Sequence, residues 1–575
     1  LDDVKALLLG EIEKLKKGEF SEELIKAVIN NQKLDFYTSL ESNEGRANMF
    51  VDAFINRQDW SDVVGRLDRI SKMTKQQIVD FVNRHFKDNY IAVYKRIGED
   101  NTVKKIDKPQ ITAIPTNRDL QSQFVTDIIN SKTEDIQPKF VDFNTDLTKG
   151  ETKNGLPVLY VKNTENGRFT LYYYYKFGET SNKWLPYAAE YFNYLGTDKM
   201  TAEQLKQKFY ELACSYYITV GSRDMSVSIS GLAENMPEAM KLMEDFIANA
   251  KVDKDAYDKY VGIVEKSRAD NKLKQRVNFS RLQYYGMYGK YSSALNCPSS
   301  AELKEMDPQK LVDMIKDLKN YKHSVLYYGP MDMKELTATV NKEHKTAKKI
   351  VDGPQNKPYR LQQTTQNEVY IAPYEAKNIY MIQYHNEGKT WNAEQEPIAA
   401  LFNEYYGGGM NTVVFQELRE ARGLAYSAFA MYGTPGYKED TEYAYTYIIS
   451  QNDKMMDCIN TFNSILNTMP KSDKAFELAK QALMKRLASS RTTKFSIINA
   501  YLNAENLGID YDINKKIYEA VPSMTMDDVA KFEKEHMANK PYRYMILGDE
   551  KQLDMKALEK IGPIKRLTTE EIFGY

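Results

Sequence analysis

Three cysteines, five histidines and a net charge of −1 in 575 residues leave little material for several common chemistries. Cys214, Cys297 and Cys458 are scattered and odd in number, which excludes a disulfide framework and a cysteine-built zinc site. The 79 basic and 80 acidic residues balance, so nothing in the charge points to nucleic acid or to an anionic membrane. No stretch approaches the roughly 18 apolar residues that a spanning helix requires. The opening Leu1-Asp2-Asp3-Val4 is not followed by a basic–apolar–small signal pattern. Histidine is equally uninformative. A zinc-hydrolase helix needs two histidines one turn apart with a glutamate as base. No two of His85, His323, His344, His385 and His536 lie within 20 residues of each other. The inverted order His-x-x-Glu-His fails at Glu535-His536, because its first ligand position is Phe532. His85 and His536 are expected at the surface of helix C-termini.

What the chain does have is repetition. A short helix followed by a strand recurs three times, starting at Met73-Thr74, Met306-Asp307 and Met524-Thr525. Apolar residues follow each methionine at +5 and +8: Ile78 and Phe81, Leu311 and Met314, Val529 and Phe532. The strands are expected at Ile91–Tyr94, Ser324–Tyr327 and Tyr544–Leu547, closed by Gly98, Gly329 and Gly548. Upstream, Ser21, Asp253 and Ser472 each cap a long helix, at 52, 53 and 52 residues before the repeat methionine. A further amphipathic helix precedes each cap, at Leu8–Leu15, Met240–Ile247 and Ile459–Leu466.

Copies two and three share a front half of strand, helices and two alternating strands. These strands are expected at Arg168–Phe177, Tyr216–Val220 and Met225–Ser230, then Asn378–Tyr384, Leu424–Met431 and Tyr443–Ile449. The pattern reads as α+β, an antiparallel sheet with helices packed on one face. Copy one shows only a back half, and the expectation is that this chain is the C-terminal part of a longer one. The domains expected are 1–105, the back half of one unit; 106–138, a proline-bearing linker; 139–345, a complete unit; and 364–575, a second complete unit.

The densest polar constellation is Phe415-Gln416-Glu417-Leu418-Arg419-Glu420-Ala421-Arg422-Gly423-Leu424-Ala425-Tyr426-Ser427, preceded by Gly407-Gly408-Gly409-Met410. On spacing alone, Arg422-Gly423 is a cation in the last helical turn before a glycine cap. Arg419 then reads as a surface partner of Glu417 or Glu420, Tyr426 as a core aromatic, and the glycine run as a flexible or close-packed turn between two helices.

These two segments resemble the signature of the M16 peptidases, the pitrilysin/insulinase family. The resemblance covers essentially the whole chain and implies repeated M16-like (LuxS/metallohydrolase-like) domains. In that family zinc is held by His-x-x-Glu-His and a later Glu in the first domain, which matches nothing in this sequence. The resemblance therefore implies no catalytic and no metal residue here, with zinc bound by an upstream domain. It also implies that Arg419 and Tyr426, seven residues apart, bind substrate opposite the zinc site. Copy two has Phe209 and Tyr216 at the equivalent spacing, so only the last copy keeps the pair.

The function implied is the substrate-binding half of a zinc endopeptidase that encloses and hydrolyses unfolded peptides, inert alone. The alternative is a non-catalytic M16-like partner or scaffold subunit. The partners implied are peptide substrates and the N-terminal M16 half, in the same polypeptide or a partner chain, with no nucleic acid and no membrane span. A periplasmic or envelope location follows weakly from bacterial relatives.

Overall fold

The structure is a computed structural model describing residues 1–96, 98, 102, 104, 122–132, 134–410 and 412–575. Most of the expected linker 106–138, including Pro109 and Pro115, lies outside the described residues. Two compact units result: Leu1–Ile29 with Asn48–Gln137, and Asn30–Ala47 with Pro138–Tyr575.

The first unit is helical among its described residues. The helix Asp2–Lys17 ends at Gly18, whose φ of +71° closes the last turn in the left-handed region. It packs on the helix Lys75–His85, and Asn83 donates to the Lys16 carbonyl at 2.9 Å. Thr74 caps that second helix in a reciprocal box with Gln77. The strand expected at Ile91–Tyr94 does not form: this segment is not a strand, and the described residues of the unit hold no other strand to pair with it.

The second unit holds twelve strands in two sheets. The first contains β1 (Thr148–Glu151), β2 (Pro157–Lys162), β3 (Arg168–Tyr175), β4 (Cys214–Val220), β5 (Met225–Leu232) and β6 (Ser324–Gly329), in the order β1-β2-β6-β3-β5-β4. The second contains β7 (Glu368–Pro373), β8 (Asn378–His385), β9 (Ala425–Gly433), β10 (Tyr443–Gln451), β11 (Arg543–Gly548) and β12 (Ile564–Arg566), in the order β12-β7-β11-β8-β10-β9.

The sheets are mixed rather than purely antiparallel. β6 runs parallel to β2, and β11 parallel to β7, while each is antiparallel to its other neighbour, β3 or β8. The repeat strand of copies two and three, β6 or β11, thus has two strands on one side of it and three on the other. The copies part company at the edge: β1 precedes β2 and pairs with it antiparallel, whereas β12 follows β11 and pairs with β7 parallel. The caps are as expected, Asp253 accepting from Ala256 N and Ser472 from Ala475 N, with Asp307 and Thr525 capping the repeat helices.

Helices also cover both faces of each sheet, not one, and strand alternation shows how. In the second sheet Ile379, Met381, Tyr544 and Ile546 face the copy's own helices, among them Met455–Asn467 and Met526–His536. Ile382, Tyr384, Met545 and Leu547 face the other way, onto Phe279, Leu282 and Tyr285 of the helix Gln275–Tyr288, which belongs to copy two. The first sheet reciprocates. Leu159, Val161, Leu326 and Tyr328 on its outer face meet Ile498 and Leu502 of the helix Phe495–Leu507, from copy three.

An ion cluster around one buried guanidinium supports the same junction. Arg223, at the β4–β5 turn, bonds Glu439 at 2.9 Å and Asp440, and lies 4.1 Å above the Tyr437 ring. Leu282, fully buried in the exchanged helix, makes the exchange measurable. Leu282→Ala is expected to lower unfolding free energy by about 3 kcal/mol in chemical denaturation. A loss below about 1 kcal/mol would mean that the helix contributes little to holding the sheet.

Candidate functional site

In copy three the polar constellation lies on the connection from the helix Glu396–Tyr406 to β9. Gly407 is required by close approach, since a Cβ there would meet the Ala430 carbonyl oxygen at 1.9 Å. A Cβ at Gly408 would meet the Asn403 carbonyl oxygen at 3.3 Å, and one at Gly409 only the Thr412 methyl at 3.9 Å. After the short turn Val413–Phe415 the chain widens into a π-turn, Gln416–Glu420, closed by Ala421 N donating to Gln416 O at 2.8 Å. Such single π-turns are rare and concentrate at functional sites. Leu418 is fully buried and anchors the turn, which leaves the next residue, Arg419, outside.

Gly423, with φ +57°, then reverses the chain into β9. There the ladder slips: Ser427 faces Ile449 and Ala425 faces Ser450, so Tyr426 has no residue opposite it. A β-bulge of this kind re-aims one side chain. Tyr426 is 78% exposed. The expectation of a core aromatic is thereby corrected: the bulge turns the ring out of the sheet. The Arg419 guanidinium lies 4.9 Å from the Phe415 ring centre and 5.9 Å from that of Tyr426. It makes no hydrogen bond or ion pair among the described residues, so it is not the partner of Glu417 or Glu420. Arg422 takes Glu417, bonding both its carbonyl, at 3.1 Å, and its carboxylate.

Two backbone irregularities therefore bring Arg419 and Tyr426 to one surface, with N–H and O–H donors uncommitted to protein partners. In copy two the corresponding residues do something different. Phe209 is buried and packs on Tyr216 with ring centres 4.8 Å apart. The same frame holds an apolar pair in one copy and a polar, exposed pair in the other.

The remaining ionisable clusters are structural in their connections. His536 is not at the surface as expected but buried. Its Nδ1 lies 3.2 Å from Glu387 and its ring packs on Phe532 and Tyr432. Glu387 also binds Lys389 and Lys540. Burial would raise its pKa, but the two ammonium groups outweigh that and hold it at about 2, too acidic for a base near neutrality. His385 Nδ1 donates to the Pro541 carbonyl at 2.7 Å, so that nitrogen carries the proton.

A second group was hidden by sequence distance. His323 and His344 meet through their Nε2 atoms at 2.8 Å, with His323 Nδ1 on the Tyr321 carbonyl at 2.8 Å and His344 Nδ1 on Glu244 at 2.6 Å. The ring centres are 5.0 Å apart, so the rings point head-on and suit a proton shared between them rather than a cation held at an angle. Burial, and then His344 itself, push His323 down to about 4. Among the described residues no group of three histidine, cysteine, aspartate or glutamate side chains is arranged to hold a metal ion. These described residues do not fit zinc.

Comparison with known proteins agrees with this arrangement. Residues 306–483 match the family described as the Peptidase M16 inactive domain. The M16 resemblance read from the sequence is thus borne out, with the family match itself confined to these residues, about a third of the chain. No curated protein matches the sequence. Among solved structures, the peptidase M16 inactive domain from Pseudomonas fluorescens superposes at a TM-score of 0.54 and 14% identity, over 70% of this chain and 98% of that one. The periplasmic protease PqqL from Escherichia coli matches at 0.55 and 12%, over 96% of this chain and 64% of its own. The ferredoxin protease FusC, in complex with Arabidopsis ferredoxin, matches at 0.57 and 11%, over 94% and 62%. At these identities the likeness is one of fold. This chain spans less than two thirds of the two proteases.

Glu533 is the ionisable residue most out of place. It stands where copies one and two have Val82 and Ile315, is 4% exposed, and leaves Oε1 without a hydrogen-bond partner. Burial raises it to about 7. The folded chain thus holds this proton more tightly than the unfolded chain does. The stability is present at low pH and is lost as pH rises through 7, by up to about 3 kcal/mol. Glu533→Gln is expected to raise the melting temperature at pH 8–9 more than at pH 5. An equal difference at both pH values would contradict the assignment.

Proposed function

We propose that this chain is the substrate-binding, non-catalytic part of an M16-type endopeptidase acting on unfolded peptides. The observation that carries the reading is the exposure of Arg419 and Tyr426 together, at a π-turn and a β-bulge that neither packing nor ion pairing explains. A guanidinium and a phenol on one surface can donate hydrogen bonds to a peptide carbonyl, and to the oxyanion that develops as that carbonyl is attacked. The peptide is taken as extended backbone, because these donors address the main chain and carry no side-chain selectivity of their own.

In this reading the zinc belongs to residues outside this chain, in the N-terminal M16 half, and residues 1–575 do not hydrolyse peptides alone. The likeness to two solved proteases of greater length supports it, as does the family of residues 306–483. A periplasmic or envelope location is the weaker part of the proposal, supported by the fold shared with the periplasmic PqqL. A scaffold role without any catalytic partner is the second reading. It is disfavoured by the retained pair, since copy two shows that the same frame accepts an apolar Phe209–Tyr216 contact instead.

Arg419→Ala or Tyr426→Phe in the complete protein is expected to lower peptide hydrolysis at least about tenfold, with zinc content unchanged. Wild-type turnover in both variants would return the pair to the surface.

A further inference from the structure

The two histidines that meet in copy two sit where the chain leaves that copy. His344 follows the helix Met333–Glu343, and residues 345–351 then run toward copy three. Backbone bonds hold this stretch to copy two. Ala347 N donates to Lys319 O at 3.0 Å, and Val351 N to Asn320 O and Lys322 N to Val351 O, both at 2.8 Å. At its start side chains hold it. Glu244, on the helix Met236–Asn249, has Oε1 2.6 Å from His344 Nδ1, and its Oε2 accepts from the Lys345 amide at 3.2 Å. His344 Nε2 meets His323 Nε2, and His323 is fixed in turn on the Tyr321 carbonyl. The fold does not demand a histidine at this place. Counted back from the glycine that ends the strand, Gly329 in β6 and Gly548 in β11, copy three has Tyr542, whose hydroxyl donates to the Met537 carbonyl at 2.8 Å.

Counting hydrogens along this chain leaves one place open on the rings. The Tyr321 carbonyl can only accept, so His323 Nδ1 carries a hydrogen and its Nε2 presents a lone pair. His344 Nε2 donates to that lone pair, and a third hydrogen lies between His344 Nδ1 and Glu244. The ring position left to the next proton is His323 Nε2, where it would set two N–H groups against each other across 2.8 Å. Both rings are buried, so water does not screen the repulsion. Tyr173 stacks on His344 with ring centres 3.8 Å apart, and Tyr175 lies 4.7 Å from His323. Glu343 lies near Tyr173 but is paired with Lys342 at 2.9 Å. Lys322 is paired with Asp352 at 2.7 Å, and Lys345 Nζ reaches the Lys342 carbonyl at 2.9 Å. Among the described residues Glu244 is the carboxylate in contact with the rings, and it faces His344 rather than His323.

We propose that these residues form an acid-operated latch: while His323 Nε2 is unprotonated, the Tyr321–His323–His344–Glu244 chain fastens residues 344–351 to copy two, and protonation there frees them. Burial, and then His344, hold His323 down to about 4, against an ordinary 6.5. The folded chain therefore binds this proton less readily than the opened one. The stability that the latch confers is full above about pH 6.5 and is lost as pH falls toward about 4. Thr346, Lys348 and Ile350 of the fastened segment wall a cavity of about 1050 Å3 that His323 also lines, so release opens this cavity as well as loosening the connection between the copies. The inference is independent of peptide binding, because it rests on hydrogen-bond geometry within copy two.

Hydrogen exchange on the whole protein at about pH 7 and about pH 4, expressed as protection factors so that the intrinsic pH dependence cancels, tests the latch. Protection of the Lys345, Ala347 and Val351 amides is expected to fall about 100-fold between the two. Protection of Val325–Tyr328 in the neighbouring β6 is expected to change less than about threefold. In His323→Gln, whose amide oxygen accepts from His344 without titrating, the fall at the three amides is expected to shrink below about threefold. Unchanged protection of those amides in the wild-type protein overturns the proposal. An equal loss in β6 also overturns it, since it reports unfolding of the whole copy. A folded His323→Gln protein that keeps the full loss overturns it too, and where that variant does not fold the wild-type profile decides alone.

Discussion

A β-sheet of this amphipathic pattern has two apolar faces, and one copy's own helices can cover only one of them. That constraint organises the larger unit. Each copy lends a helix to the outer face of the other's sheet, Gln275–Tyr288 in one direction and Phe495–Leu507 in the other. Aromatic and aliphatic residues at alternate strand positions make both faces dry, so neither sheet is complete without the other copy. Arg223, itself buried, bonds Glu439 and Asp440 and lies over the Tyr437 ring, so its removal would leave the carboxylates to solvent and cost the junction a buried cation's contacts.

This frame explains how the site arises. Copies two and three share the strand–helix–strand scaffold, yet the segment before the second strand differs in what it buries. In copy two it is a regular helix, Ala202–Glu211, ending against Tyr216 through Phe209. In copy three the helix is replaced by a three-residue turn and a π-turn, and the following strand carries a bulge. Both departures act on side-chain direction. They move Arg419 and Tyr426 from the positions of a core pair to an exposed one, without disturbing Leu418 beneath.

Much of the fold was legible because it is repeated. Capping residues at nearly constant spacing located the long helices, and alternation located β3, β5, β8 and β10 within a residue or two. The short strands β1, β2, β7 and β12 were not marked, since three to six residues beside glycine and proline carry little periodic signal. The exchange of helices was invisible for a different reason. Nothing in the sequence of Gln275–Tyr288 distinguishes a helix that covers its own sheet from one that covers another copy's. The His323–His344 contact spans two elements, so no local spacing reveals it. Arg419 and Tyr426 were legible as residues, but their exposure was not: the π-turn and the bulge that expose them have no sequence signature of their own. Glu533, by contrast, was available to an alignment of the three copies as an acid among aliphatic residues.

The proposal that the pair in copy three binds extended peptide, with the chemistry residing elsewhere, is open to one direct measurement. Titrating an unfolded peptide into residues 1–575 in the presence of a metal chelator, by calorimetry, tests it most directly. Binding that persists with chelator, weakens on replacing Arg419 and leaves the peptide intact is the predicted result. Absence of binding, or metal-dependent cleavage of the peptide by residues 1–575 alone, would contradict it.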